Sequence, residues 1–313
     1  MAAPAQASYS QIIAFGDSLT DTGNLHYLTS FLPNGGIPAA PYYQGRFSNG
    51  LLAVESMGYG LGLNITSYAY AGAETGLDNQ GSTFLYGTGV TGQVRNFGNT
   101  LLGQPADAAA LYFVWAGAND FYVGDNMLST ATATTAVQNT LGNIKTLFDD
   151  GAKDFFVPLM PDLSRTPAAL LNTEAYQAAA ALRTQEYNTQ LLAALNALSA
   201  ATPGLNITTF DTVSFMSQTT AELQAAGFDV TDACYNTTTQ TICSTPEQYL
   251  FWDQLHPSAA GHWILGQAFA STVLTASIAA STTVPEPSVN VLALLGLIVM
   301  GWHLQRTNAR RSA

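Results

Sequence analysis

The chain has 313 residues, of which 47% are hydrophobic and only 10% are charged, and its formal net charge is −12. This length suits one large domain with a single core, although two smaller domains would also fit. An acidic surface repels polyanions, so the composition excludes nucleic acid as a partner.

Short apolar runs, several of which end at glycine, alternate with helical patterns along the chain. Strands that alternate with helices indicate an α/β fold, in which a parallel sheet is covered on both faces. Functional groups then collect at the carboxyl ends of the strands. The predicted strands are residues 11–15, 65–71, 110–115, 155–159, 207–210 and 249–252, and the predicted helices are residues 136–148, 174–198, 221–226 and 259–274.

Two glycine-rich stretches are predicted to be loops. Residues 24–62 contain three prolines and seven glycines, and we expect them to form part of a substrate cleft. Residues 87–92 spell a dinucleotide-binding fingerprint, but they follow only a brief apolar run and lie far from the first strand. We therefore interpret them as a loop as well.

The first candidate functional residue is Ser18, in the sequence Gly16-Asp17-Ser18-Leu19 after the first predicted strand. Glycine permits a tight turn, which would present the Ser18 hydroxyl at the top of the sheet. Thr20 occupies the last position of a Gly-x-Ser-x-Gly pattern, so this is not that nucleophile elbow. Taken alone, Gly-Asp-Ser is more often a capped turn.

The second candidate element is the pair Asp253 and His256, near the start of the last predicted helix. At this spacing the carboxylate can accept a hydrogen bond from one imidazole nitrogen while the other nitrogen faces a serine. A serine hydroxyl is a weak nucleophile and needs such a base. The alternative is that Asp253 only caps the helix and His256 lies on the surface.

Gly72 and Asn119 follow the second and third predicted strands. Together with the Ser18 N–H group, the Gly72 N–H and the Asn119 amide would form an oxyanion hole. Each would otherwise be an ordinary turn residue. Nearby acids are predicted to brace the loops, and His262 is predicted to be a packing or surface residue; the acids are Asp17, Asp21 and Asp120.

The Gly-Asp-Ser-Leu block, Gly72, Gly117-Ala118-Asn119-Asp120 and the Asp253/His256 pair resemble, in their order, the four blocks of GDSL/SGNH hydrolases. The segment Gly45-Arg46-Phe47-Ser48-Asn49-Gly50 is similar to one that is frequent in the lipase-like branch. The resemblance spans roughly residues 11–270 and implies a three-layer α/β/α sandwich.

It also implies hydrolysis of a small-molecule or lipid ester with no metal or cofactor. Ser18 is then the nucleophile, His256 the base, Asp253 the group that orients it, and Ser18, Gly72 and Asn119 the oxyanion donors. Two alternatives stay open, namely acyl transfer to an alcohol and a catalytically silent surface-binding module. The complete set of five residues argues against the second, because binding alone needs no base.

Cys234 and Cys243 lie close together in a Thr/Asn-rich stretch that we interpret as a loop. If they are bridged, the disulfide stabilises the fold by roughly 2 to 3 kcal/mol and implies an oxidising compartment. Two unpaired thiols are the alternative. Ala5-Gln6-Ala7 is typical of the end of a signal peptide, although no basic or apolar region precedes it.

The C-terminal end combines Val284-Pro285-Glu286-Pro287-Ser288, an apolar run over residues 291–302 and three arginines. This order resembles the PEP-CTERM sorting signal of Gram-negative bacteria, which implies export and processing by an exosortase at the cell surface. An ordinary C-terminal membrane anchor is the alternative. The predicted organisation is a leader remnant (1–10), the hydrolase domain (11–275), a linker (276–288), and an apolar segment with a basic tail (289–313).

Overall fold

A computed structural model describes residues 9–124 and 126–281 of the chain. Its centre is a parallel sheet of five strands in the order β2-β1-β3-β4-β5. The third strand along the chain therefore lies beside the first. The second strand lies on the outer side of the first, and the fourth and fifth follow the third. The strands are β1 (Ile12–Gly16), β2 (Ile65–Ser67), β3 (Leu111–Trp115), β4 (Asp154–Pro158) and β5 (Asn206–Phe210).

Both faces of the sheet are buried: all five residues of β1 are buried, although successive side chains of a strand point to opposite sides. In β1, Ile13 and Phe15 contribute to one hydrophobic core, and Ile12 and Ala14 contribute to another. This explains why the central strands appear in the sequence as continuous apolar runs rather than as alternating patterns.

Helices cover the two faces and complete a three-layer α/β/α sandwich, which confirms the predicted fold class. The first core receives side chains from α3 (Val90–Thr100), α5 (Ala131–Asp149) and α7 (Glu174–Ala201). The second receives them from α2 (Ala53–Leu61), α8 (Thr212–Ala225) and α9 (Ala259–Ser281). Shorter helices are α1 (Asn24–Leu28), α4 (Ala118–Tyr122) and α6 (Pro167–Leu170), with 3₁₀ turns at Asn126–Leu128, Leu163–Arg165 and Pro246–Gln248.

A small region after α8 holds two further strand pairs. Strand β6 (Asp229–Ala233) pairs in parallel with β9 (Tyr249–Phe251), outside the central sheet. Strands β7 (Tyr235–Asn236) and β8 (Thr241–Ile242) form an antiparallel hairpin. A disulfide joins Cys234 and Cys243, which flank this hairpin.

Three of the sequence-based elements need correction. The second strand ends at Ser67, so Gly72 lies in a loop beyond it. The segment 24–62 contains α1 and α2, but most of its residues lie in turns and bends, as predicted. Residues 87–92 lead into α3, whose first residue is Val90, and α8 is longer than the predicted helix 221–226.

The predictions for both ends of the chain lie outside the described residues. These are the leader remnant up to residue 8 and, from residue 282 onward, the PEP motif and the apolar run with its basic tail. Within residues 9–124 and 126–281, the structure contains no helix with the length and apolarity that a membrane span requires. Residues 9–274 belong to one compact unit.

A close approach between α9 and α2 gives a test of this packing. A Cβ at Gly266 would overlap the Ala53 carbonyl oxygen and the Ser56 side chain of α2. We therefore expect Gly266→Ala to lower the free energy of unfolding by about 1–3 kcal/mol, as overpacking does. Urea denaturation would measure it.

The matched control is Gly142→Ala in α5, where the glycine is exposed and an added Cβ meets no atom within 4 Å. This variant should gain about 0.5–1 kcal/mol from higher helix propensity. Equal stabilities for the two alanine variants would contradict the close contact between the helices.

Candidate active site

Ser18 lies in the tight turn that follows β1, and its side chain is buried. The turn closes through hydrogen bonds from the Thr20 and Asp21 N–H groups to the Asp17 carbonyl oxygen. No side chain fits at Gly16, because a Cβ there would overlap the Trp115 carbonyl oxygen of β3. The neighbouring strand thus requires glycine immediately before the turn.

The side chain of Gln93, in α3, binds the backbone of Gly16 at the end of β1. Its amide oxygen accepts from the Gly16 N–H at 2.9 Å, and its amide nitrogen donates to the Gly16 carbonyl oxygen at 2.8 Å. The side chain is buried. Gln93 therefore gives both backbone polar groups of Gly16 a hydrogen-bond partner beyond the end of β2.

The structure brings Ser18, His256 and Asp253 together. Nε2 of His256 lies 2.9 Å from Oγ of Ser18, and Nδ1 lies 2.8 Å from Oδ2 and 2.9 Å from Oδ1 of Asp253. If Nδ1 carries the proton and donates it to Asp253, Nε2 is free to accept the Ser18 hydroxyl proton. Such an arrangement can activate a serine hydroxyl as a nucleophile.

Asp253 and His256 lie in a turn just before α9, whose first residue, Ala259, is the one that the sequence predicted. Oδ1 of Asp253 accepts from the N–H groups of Leu255 and His256, both at 2.8 Å. The His256 carbonyl oxygen accepts from the Trp252 N–H at 2.8 Å. The aspartate therefore organises the turn in which its histidine partner lies, as Asp side chains often do.

The Gly45–Gly50 segment packs against this turn. The Phe47 ring lies 4.9 Å from the His256 ring, centroid to centroid. Ser48 Oγ donates to the Pro257 carbonyl oxygen at 3.0 Å, and the Asn49 side chain accepts from the Ala259 N–H at 2.7 Å. This segment therefore fixes the histidine turn and caps the first residue of α9.

Gly72 occupies a loop that two buried polar side chains hold in place. Asp21 accepts from the Ala71 N–H at 2.9 Å, and Asn79 donates to the Ala71 carbonyl oxygen at 2.9 Å. Gly72 has φ = 80°, and a Cβ there would overlap the Asn79 side chain. Both the backbone conformation and the space require glycine.

Asn119 is the second residue of α4, and its side chain is buried. Its amide nitrogen donates to the Ala73 carbonyl oxygen at 3.1 Å, and its amide oxygen accepts from Gln80 at 2.9 Å. The next residue, Asp120, accepts from both the N–H and the hydroxyl group of Thr75. Asp21 and Asp120 thus brace the loops as the sequence predicted, while Asp17 accepts from the Leu19 N–H.

One cavity of about 570 Å³ is lined by four of the predicted site residues, Ser18, Gly72, Asn119 and His256. Polar groups on its wall include Ser18, Asn119 and His256, together with the Gly72 loop. Most of the remaining wall is apolar. The apolar lining includes Leu19, Leu25, Phe31, Leu32, Ile37, Phe47, Phe84, Leu85, Leu163 and Leu255.

Charges around His256 favour its protonated form. Burial alone would lower the pKa of His256, but the charge and hydrogen bond of Asp253, followed by the charge of Asp17, raise it above its ordinary value of 6.5. For Asp253, burial would raise the pKa, but the His256 charge and hydrogen bond, together with the Tyr42 hydrogen bond, lower it to about 2. Asp253 therefore stays ionised wherever His256 titrates.

The other buried ionisable groups are shifted mainly by loss of solvent. Burial raises the pKa of Asp17 to about 6 and that of Asp120 to about 7, although hydrogen bonds oppose both shifts. Burial lowers the pKa of His262 to about 3, and its Nδ1 accepts from the Ala53 N–H at 3.2 Å. His262 is thus a neutral packing residue between α9 and α2 at neutral pH.

Sequence reasoning missed several residues that support the site, above all Tyr42 and Gln93. The Tyr42 hydroxyl donates to Oδ2 of Asp253 at 2.6 Å. The Gly45–Gly50 resemblance was the one signal that pointed near Tyr42, and nothing local singled out Gln93. In the described ranges, 9–124 and 126–281, no three His, Cys, Asp or Glu side chains gather as they would around a metal ion.

Comparison with known proteins places this geometry in context. The profile of the GDSL-like lipase/acylhydrolase family matches residues 12–269. A GDSL esterase/lipase of Arabidopsis thaliana is 31% identical, with 81% of this chain and 88% of that protein covered. A phosphatidylcholine-sterol acyltransferase of Aeromonas hydrophila is 29% identical over 88% of this chain and 82% of that protein.

Among solved structures, one described as a GDSL-like lipase from Parabacteroides merdae matches with a TM-score of 0.50 and 12% identity. The match covers 85% of this chain and 96% of that one. At this identity the likeness concerns the fold alone.

The charges around His256 lead to a prediction that needs no substrate. We expect Asp253→Asn to lower the pKa of His256 by about one unit or more, because burial remains while the adjacent charge is gone. NMR titration of the imidazole resonances, assigned with His256→Gln, would measure it. Ser18→Ala is the control and should keep a raised pKa; an unchanged value in Asp253→Asn would contradict the electrostatic role of Asp253.

Proposed function

The chain belongs to the family of GDSL-like lipases and acylhydrolases and is an ester hydrolase, and on this basis we propose that it cleaves esters of aliphatic acids through an acyl-enzyme on Ser18. The observation that carries the proposal is the 2.9 Å contact between Oγ of Ser18 and Nε2 of His256 at the wall of an apolar cavity. Nucleophile, base and acyl site then share one space.

In the first half-reaction, Oγ of Ser18 attacks the ester carbonyl carbon while Nε2 of His256 takes the hydroxyl proton. The imidazolium that forms is stabilised by the Asp253 carboxylate, which accepts from Nδ1. The carbon–oxygen bond to the alcohol then breaks, and His256 returns its proton to the leaving alkoxide.

The negative oxygen of the tetrahedral intermediate needs donors that are in place beforehand. We assign the Ser18 and Gly72 N–H groups and the Asn119 side-chain amide to this role. An amide nitrogen carries two hydrogens, so donation to Ala73 leaves Asn119 a second one for a substrate oxygen. Gln80, which donates to the Asn119 oxygen, orients the nitrogen in this direction.

Deacylation repeats these steps with water. His256, neutral again, accepts a proton from a water molecule that attacks the acyl carbonyl carbon. The second tetrahedral intermediate collapses, the bond to Oγ of Ser18 breaks, and Ser18 recovers its proton from His256. The products are the free acid and the regenerated enzyme.

The cavity wall favours an acyl group with an aliphatic chain. The cavity volume falls within the range of small-molecule sites, and ten of its 24 lining residues are leucine, isoleucine or phenylalanine. Each buried methylene of a substrate gains about 0.8 kcal/mol. Esters longer than acetate should therefore be bound better until the cavity is filled.

Hydrolysis of p-nitrophenyl acetate, butyrate, octanoate and palmitate tests the proposal. We expect kcat/KM to rise from acetate to a medium chain, and Ser18→Ala to lose at least about 1,000-fold in kcat. The acid limb of the kcat/KM profile should lie above pH 6.5, since His256 must be neutral to accept a proton and its pKa is raised.

A folded wild type without activity on any of the four esters would contradict ester hydrolysis at this site. Full activity in folded Ser18→Ala would agree with ester hydrolysis by this protein but would exclude Ser18 as its nucleophile. Circular dichroism of both proteins separates these outcomes from misfolding.

Acyl transfer is the second candidate, because a similar protein is a phosphatidylcholine-sterol acyltransferase. In this reaction an alcohol replaces water in deacylation, and His256 accepts the alcohol proton instead. When the same assays include glycerol or a sterol, chromatography would then detect a new ester that is absent in Ser18→Ala. Free acid as the sole product at every acceptor concentration would exclude transfer to these alcohols.

A further inference from the structure

We propose that Tyr42 is a positioning residue for the Ser18–His256–Asp253 unit, in which its hydroxyl holds the Asp253 carboxylate in the orientation that His256 requires. The inference rests on the proposed function of Ser18 and adds a fourth side chain to that site. Tyr42 is remote in sequence, 211 positions before Asp253, and donates to Oδ2 of Asp253 at 2.6 Å.

The Asp253 carboxylate has a complete set of donors only when Tyr42 is included. Oδ1 receives the two backbone N–H groups of Leu255 and His256. Oδ2 receives Nδ1 of His256 and the hydroxyl of Tyr42. A carboxylate has about four acceptor positions, and these four donors approach it from the turn, the imidazole and the Tyr42 loop.

A carboxylate bound only by its own turn and by His256 could still rotate about the χ1 and χ2 torsions of the aspartate. Tyr42 removes this freedom, because it reaches Oδ2 from a different part of the chain. An orienting carboxylate is useful only if the imidazole it holds stays within reach of the nucleophile. The hydroxyl of Tyr42 thus acts on Ser18 through two other residues.

The ring of Tyr42 is itself fixed by aromatic neighbours. It packs against Phe47 and Tyr235 at centroid distances of 5.6 Å each, and against Trp252 at 6.3 Å. The Tyr235 and Trp252 rings stack at 5.4 Å, beside the Cys234 end of the disulfide. Because three rings and a disulfide surround it, the hydroxyl has a defined position.

Tyr42 remains a protonated donor at neutral pH and well above it. Burial, followed by the charge and the hydrogen bond of Asp253, raises its pKa well above the ordinary value of 10.0. Besides Asp253, the titratable groups that act on His256 are Asp17 and His262, and Tyr235 acts on Tyr42. Tyr42→Phe leaves Asp17, His262 and Asp253 intact.

The donated hydrogen bond also shares the charge of Asp253. When Tyr42 no longer donates, the desolvated carboxylate has one partner fewer and interacts more strongly with the imidazolium. The pKa of His256 should then rise, and the acid limb of activity should move to higher pH. A residue that only fills space would change neither.

The test is Tyr42→Phe, which keeps the ring and removes only the hydroxyl. We expect kcat for p-nitrophenyl butyrate to fall about tenfold, KM to stay within about twofold, and the acid limb of kcat/KM to move up by about half a pH unit. The control is Tyr235→Phe, which removes a hydroxyl from the same aromatic cluster and should leave all three unchanged.

A double variant separates positioning from general damage. In the Asp253→Asn background, Tyr42→Phe should cost less than about twofold, because a residue that acts through Asp253 has nothing left to act on. Full multiplication of the two effects would overturn the proposal, as would wild-type kcat and pH dependence in Tyr42→Phe. Melting temperatures of each variant exclude loss of folded protein.

NMR titration of His256 distinguishes failure of this inference from failure of the proposed function. If the wild type hydrolyses no ester, the proposed function fails, but the coupling is still measured by the His256 pKa in Tyr42→Phe. A rise of about half a unit supports the role of Tyr42. An unchanged pKa overturns it, whether or not the enzyme is active.

Discussion

The contact between Oγ of Ser18 and Nε2 of His256 joins two turns that are 238 positions apart in the sequence. Both turns have to be rigid for this contact to persist, and each is fixed by a different part of the fold. The Ser18 turn is an extension of β1, which lies between two parallel neighbours. The His256 turn precedes α9, which packs on the second face of the same sheet. The sheet and its covering helix are thus the common frame of the site.

Much of this frame could be predicted from the sequence, since all five central strands coincide with apolar runs that the sequence contains. Helices α2 and α3 could not, because each contains glycines that lower helix propensity. In α3, Val90, Val94 and Phe97 form an apolar stripe against the first core, and burial of this stripe outweighs Gly92 and Gly98. In α2, Gly58 and Gly60 lie where Ile65 and Ala270 approach closely. Packing against residues that are distant in the sequence therefore stabilises both helices despite their glycines.

The residues of the site also fall into two groups, those that a sequence pattern indicates and those that only the fold reveals. Ser18, Gly72, Asn119, Asp253 and His256 stand in short patterns whose chemistry is recognisable. The structure places four of them on the wall of one cavity, and Asp253 lies behind His256 in contact with its Nδ1. Tyr42 and Gln93 have no such pattern, because each acts on a partner far away in the chain. Gln93 contacts Gly16 across 77 positions, and Tyr42 contacts Asp253 across 211. Neither residue can be assigned a role from the sequence, because its partner, a strand end for the glutamine and a carboxylate for the tyrosine, is known only from the fold.

Two carboxylates act on His256, and they do so in different ways. Asp253 touches the imidazole and is ionised throughout, whereas Asp17 acts through space and has a pKa of about 6. As the pH rises past this value, Asp17 gains charge while His256 approaches its neutral form. In the proposed mechanism, both acids would then stabilise the imidazolium that forms. The proposed donors to the oxyanion are uncharged N–H groups, which do not compete with those carboxylates for the imidazolium. Positive charge in the transition state would then be balanced by the two carboxylates, and negative charge by fixed N–H dipoles.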